Sequence, residues 1–143
     1  MAFLSKIPAT SVTSTDILDA TIATADIADN AVTTAKIGYA EATLTDESTI
    51  SWDASTSDVA KVTLGGNRTL GAASSGTTGQ FVSLLIIQDG TGGRTLSWNT
   101  IYEFKDDEAP TLTTTADKGD MFVFRYNGSK YLEVGRNTAL TLS

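Results

Sequence analysis

GDMFVFRYNGSKYLEVG, residues 119–135, decides the class of fold. Two runs of alternating character meet at Asn127-Gly128, the dipeptide that a two-residue hairpin turn favours because its central positions need positive φ. The stretch predicts a β-hairpin.

Working backwards, QFVSLLIIQD (80–89) has an unbroken apolar middle, which predicts a strand buried on both faces, the core strand of the domain. Asp89-Gly90-Thr91-Gly92-Gly93 makes a wide turn into RTLSW (94–98), and a loop containing DDEAP (106–110) precedes TLTTT (111–115). Upstream, DVAKVTLGGNRTL (58–70) reads as a second hairpin, with Val59, Val62 and Leu64 before a Gly65-Gly66-Asn67 turn and Leu70 after it. EATLTDESTISWD (41–53) alternates through Leu44, Ile50 and Trp52 as a half-buried edge does, and the tail RNTALTLS (136–143) adds a further edge. Seven or more short strands without a long amphipathic helix predict an all-β domain over residues 41–143, a β-sandwich of jelly-roll-like form.

A different organisation precedes this domain. A branched apolar residue returns at every fifth position, at Ile7, Val12, Ile17, Ile22, Ile27, Val32 and Ile37. From Ser11 the finer unit is ten residues: SVTSTDILDA, TIATADIADN and AVTTAKIGYA align. Five steps on a helix advance about 140°, and an odd spacing on a strand changes face, so each repeat must bend for its anchors to share a side. A short helical turn with a Ser or Thr cap, followed by a break, does this. One apolar residue in five does not offset about 1–2 kcal/mol of backbone entropy per residue in a single chain. Three parallel chains would bring three anchors together at each level. The period therefore predicts a homotrimeric stem over residues 11–40, extended or short-helical, with the seven anchors at its interface; a Thr- and Ala-rich linker and a pentapeptide β-solenoid are the competing readings. Residues 1–10, with Phe3, Leu4 and Pro8, read as an attachment segment for another protein.

The 143 residues suit one domain plus an appendage, and MAFLSKIPAT lacks the basic start and apolar run of a signal peptide. No apolar run approaches the ~18 residues of a membrane span. A net charge of −7 with ten scattered basic residues argues against nucleic acid as a partner. With neither cysteine nor histidine, thiolate chemistry, histidine-ligated zinc and the Ser-His and Cys-His catalytic pairs are excluded. An enzyme is not expected, and no cofactor or metal is. DGTGG lacks the Gly-Lys-Ser or Gly-Lys-Thr ending of a phosphate loop and leads into a strand.

Four residues stand out as ligand contacts. Trp98 offers a ring face to a sugar, Tyr102 a ring with a hydroxyl, and Asp106 and Asp107 acidic oxygens for a hard cation or a saccharide. Core packing competes for the aromatics and a solvated loop for the carboxylates.

DNAVTTAKIG (29–38) and its upstream relatives resemble the stem repeats of bacteriophage fibre and head-decoration proteins. VTLGGNRTL, QDGTGGRTLSW and GDMFVFRYNG look like the small β-domain that follows such stems. The resemblance implies a trimeric virion protein, assembled in the host cytoplasm, with an N-terminal attachment part and a distal β-knob, and it carries over no catalytic residue. Two roles follow as expectations. The first is a head decoration or short head fibre anchored on the capsid or another virion protein through residues 1–10; the alternative is a receptor-binding fibre tip that recognises host-surface carbohydrate.

Overall fold

The computed structural model describes Ile27 and residues 41–142. The stem anchors Ile7, Val12, Ile17, Ile22, Val32 and Ile37 lie outside the described residues, as does the attachment segment; Ile27 is 44% exposed in the single chain.

From residue 41 onward the chain is all-β. Nine strands run in the order β1 (Ala42–Thr43), β2 (Thr49–Ile50), β3 (Val59–Leu64), β4 (Arg68–Leu70), β5 (Phe81–Gln88), β6 (Leu96–Trp98), β7 (Tyr102–Glu103), β8 (Lys118–Tyr126) and β9 (Tyr131–Thr141). A single 3₁₀ turn at Lys105–Asp107 interrupts them. Sheet A has six strands in the order β1-β3-β5-β8-β9-β7, and sheet B three in the order β2-β4-β6.

The first six strands wind as three coils. Each lays one strand in sheet A, turns a corner and lays the next in sheet B, and every pairing between coils is parallel. Ala42 pairs with Ala60 and Ala60 with Leu84; Thr49 pairs with Thr69 and Thr69 with Ser97. Inward positions stack accordingly: Ala60, Val62 and Leu64 on β3, Val82, Leu84 and Ile86 on β5, Ile50 on β2 and Leu70 on β4 are buried. Phe122 and Phe124 on β8 and Tyr131 on β9 complete one continuous core.

The expected hairpin at 119–135 is present. Asn127 Oδ1 accepts the backbone N–H of Ser129 at 2.9 Å and of Lys130 at 2.7 Å, and Gly128 takes φ +100°. β8 also pairs antiparallel with β5, which ends the parallel stack. The tail extends β9 to Thr141. β5 lies between β3 and β8, but its faces differ: Val82, Leu84 and Ile86 are buried inward, while Ser83, Leu85 and Ile87 are only half-buried on the outside.

The second hairpin is not formed, and the domain departs from a jelly roll in having parallel coils. β3 and β4 lie in different sheets, so Gly65-Gly66-Asn67 is a corner. Its contacts run to the coils on either side: Gly65 N–H donates to Asp46 Oδ2 at 3.2 Å, and Thr95 N–H to Asn67 Oδ1 at 3.1 Å. A hairpin turn and a solenoid corner need the same residues, because both reverse the chain over a few positions. Only a partner strand from elsewhere in the chain decides which forms.

Candidate functional site

β6 is the edge of sheet B, with β4 on one side only. Along its other side runs a groove of about 450 Å³, walled by Arg94, Leu96 and Trp98 on one flank and by Pro110, Thr111 and Leu112 on the other. Clefts of about 300–1,000 Å³ are the usual size for small-ligand sites.

Each wall is held from behind. Gln88, the buried last residue of β5, donates Nε2 to the Arg94 carbonyl at 2.9 Å and accepts the Arg94 N–H on Oε1 at 2.8 Å. The Arg94 guanidinium donates to Asp89, with Nη2 to Oδ2 at 2.8 Å, and Asp89 also accepts the N–H groups of Thr91 and Gly92. The guanidinium first, then these N–H groups, hold the Asp89 carboxyl below its usual range. Arg94 is therefore already neutralised where it meets the groove. Gly92 adopts φ +73°, and a Cβ there would stand 2.5 Å from the Thr114 carbonyl oxygen. Gly93 N–H donates to that same oxygen at 2.8 Å.

The opposite wall hangs on Asp120. This carboxylate is 2% exposed and accepts the N–H of Thr113 on Oδ2 at 2.6 Å and of Ala139 on Oδ1 at 2.8 Å. It ties the 109–114 segment to β8 and β9, with Pro110 and Leu112 buried beneath.

Trp98 joins the groove to the core. Its ring packs edge-on against Tyr102, Phe104 and Phe122 at centroid distances of 5.6, 5.0 and 5.0 Å. Its indole N–H is buried without a hydrogen-bond partner among the described residues. The side chain is half-buried, so it serves the core and the groove together. Around it the lining carries Thr95, Ser97, Thr111 and Thr114.

The other three candidate contacts are not in this groove. Tyr102 is buried in the core and donates its hydroxyl to the Gly71 carbonyl at 3.2 Å, with burial pushing its pKa up. Asp106 and Asp107 are exposed on the 3₁₀ turn with φ near +60°. Asp107 is raised by its hydrogen bond with Glu103, whose own carboxyl is lowered by the same bond and then by Lys130, 3.1 Å away. No group of three or more metal-ligating side chains occurs among the described residues. The 109–114 wall and Asp120 were missed by the sequence reading, since nothing in TLTTT marks a wall and an acid on a strand normally faces water.

A family described as "Putative phage tail fibre C-terminal domain" matches residues 42–131, more than half of the chain. No curated protein and no solved structure matches.

Proposed function

The chain belongs to the phage tail fibre C-terminal domain family, and from that premise we propose that it is a non-enzymatic, homotrimeric fibre protein whose β-domain grips host-surface saccharide. A phage fibre structural role is what the family assigns; the trimer, the tip position and the ligand are our reading. The family's name supports the tail over the head decoration that the short stem suggested.

The groove beside β6 carries the saccharide reading. A half-buried indole among Thr95, Ser97, Thr111 and Thr114 offers what a sugar ring needs, an aromatic surface for its C–H face and hydroxyl partners for its rim. Because Arg94 is occupied by Asp89, the groove suits a neutral sugar better than an acidic one. Three tethered copies would raise the avidity of a weak single site. In this reading residues 1–10 join the fibre to another virion protein.

Thr111→Arg tests the site without touching the core, since Thr111 is exposed on the groove wall. The labelled full-length protein should bind host cells, and the variant should lose that binding while keeping its circular dichroism spectrum. Undiminished binding by a folded variant would remove the groove from the account. Immunogold labelling of intact particles should place the protein on the tail; label on the head would restore the decoration role.

A further inference from the structure

The outer face of sheet A carries a second surface. The registers place its outward residues in rows across β3, β5, β8 and β9: Val59, Ser83, Val123 and Gly135; Lys61, Leu85, Met121 and Asn137; Thr63, Ile87, Gly119 and Leu140. Phe81 follows at the start of β5, opposite Arg125. Every exposed large hydrophobic residue from position 41 onward belongs to this face: Phe81, Met121, Val134 and Leu142 are 56, 38, 59 and 43% exposed. Leu142 is placed there by Gly119, since a Cβ on that glycine would meet the side chains of Leu142 and Leu85 alike at 3.0 Å.

The middle of the face is also free of acid. The chain has 17 Asp and Glu residues, yet none occupies these rows. Carboxylates stand at its margins: Glu41 pairs with Lys61 at 2.6 Å, Glu103 ends the row that runs from Phe81 through Arg125 and Leu132 and pairs with Lys130 at 3.1 Å, and Asp58 borders the hollow beside Phe81. Copies of a protein of net charge −7 repel each other in most orientations, and a surface whose middle carries no carboxylate lowers that repulsion.

Two hollows give the face its relief. One, of about 290 Å³, lies among Met121, Val123, Val134 and Gly135, where a bulge in β9 displaces the register. The other, of about 410 Å³, lies beside Phe81, and Val123 forms the ridge between them. The projecting Phe81 and the Val134 hollow occupy different places on one face. A contact that joins them is head-to-tail and can close as a ring, whereas a two-fold contact would set like against like.

We propose that the outer face of sheet A is the contact between copies of this chain, with Phe81 of one copy seated in the Met121–Val123–Val134 hollow of the next. The inference rests on the trimeric reading above and adds the surface and its polarity.

Methionine oxidation tests it on the full-length protein. The chain has two methionines, Met1 and Met121, so the Met121 sulfoxide is read directly by peptide mass. With peroxide, Met121 should oxidise about tenfold more slowly in the native protein than in Phe81→Asp, whose substitution sits four residues along β5 from Leu85, the partner of Met121. The absence of cysteine allows a second measurement. Phe81→Cys combined with Val134→Cys should form disulfide-linked species that close at three copies, and either cysteine alone should form none. Equal Met121 rates in a protein that light scattering shows to be trimeric would overturn the face and leave the trimer standing; a monomer of 15.0 kDa would overturn both. Dimers from Phe81→Cys alone would overturn the head-to-tail polarity. Protection of Met121 only after addition of phosphatidylglycerol vesicles would assign the face to a bilayer instead.

Discussion

Asp46 and Arg68 stand 22 residues apart in sequence and meet through two hydrogen bonds, Nε to Oδ1 at 2.8 Å and Nη2 to Oδ2 at 2.7 Å. The pair fastens the corner of the second coil to that of the first. Arg68 holds the Asp46 carboxyl below its ordinary value of 3.8, and within the corner of the third coil Arg94 holds Asp89 down likewise. A depressed folded pKa means that the stabilisation is complete above the unfolded value and is lost as pH falls through the folded one. We predict that the urea midpoint holds from pH 7 to about pH 5 and falls below about pH 4. Asp46→Asn should lower the midpoint at pH 7 and flatten the acid limb. An acid limb unchanged in Asp46→Asn would show that other carboxylates set it.

Leu84 is fully buried at the centre of β5 and pairs with both Ala60 and Phe122. Leu84→Ala should cost about 2–5 kcal/mol in urea unfolding, whereas Leu85→Ala, on the half-covered outer side, should cost less than half as much in a single copy. Equal costs would mean that the outer face is covered within one chain.

Asp120 should matter to the groove more than to the core. Asp120→Ala strands the Thr113 N–H and leaves the Ala139 N–H only its bond to Thr113 Oγ1 at 3.0 Å, and should cost about 1–3 kcal/mol. Amide exchange should rise first over residues 109–114. Exchange rising uniformly across the domain would contradict a local role.

Gly92→Ala should be the most damaging glycine substitution of the 89–94 turn, since it meets both the positive φ and the Thr114 oxygen. Gly93 also has positive φ, but its Cβ would meet nothing. A thermal midpoint lower for Gly92→Ala than for Gly93→Ala is expected, the first costing about 1–3 kcal/mol or more.

Ile27→Asp would set three carboxylates around one axis if the anchors face each other. The variant should lose the stem trimer while residues 41–142 keep their β spectrum. A variant that stays trimeric with its stem protected from protease would show that the anchors face outward.

What could be read in advance follows the distance over which each contact acts. Asn127-Gly128 declares its hairpin because both strands lie within a few residues of it, and that prediction matches the structure. The coils are different. Ala60 stacks between Ala42 and Leu84, and nothing local to VAKVTL says that its neighbours run parallel rather than back from Gly65-Gly66. Trp98 was legible as a residue of interest because indoles are rare. Its groove was not, because the far wall is held by Asp120 through two backbone N–H groups that leave no mark on sequence.

The antiparallel cap has a consequence in time. β8 and β9 meet across a four-residue turn, whereas each parallel pairing between coils must first close a loop of some 18 to 28 residues, which is slower. The hairpin is thus the expected nucleus, and β5, β3 and β1 should zip onto it in that order, against the direction of synthesis. The hairpin leaves the ribosome after the coils yet would be the first to hold, so a nascent chain halted before Lys118 should remain open to protease. Pulsed amide exchange during refolding should protect β8 and β9 before β3. Protection that began at β1 would reverse the order.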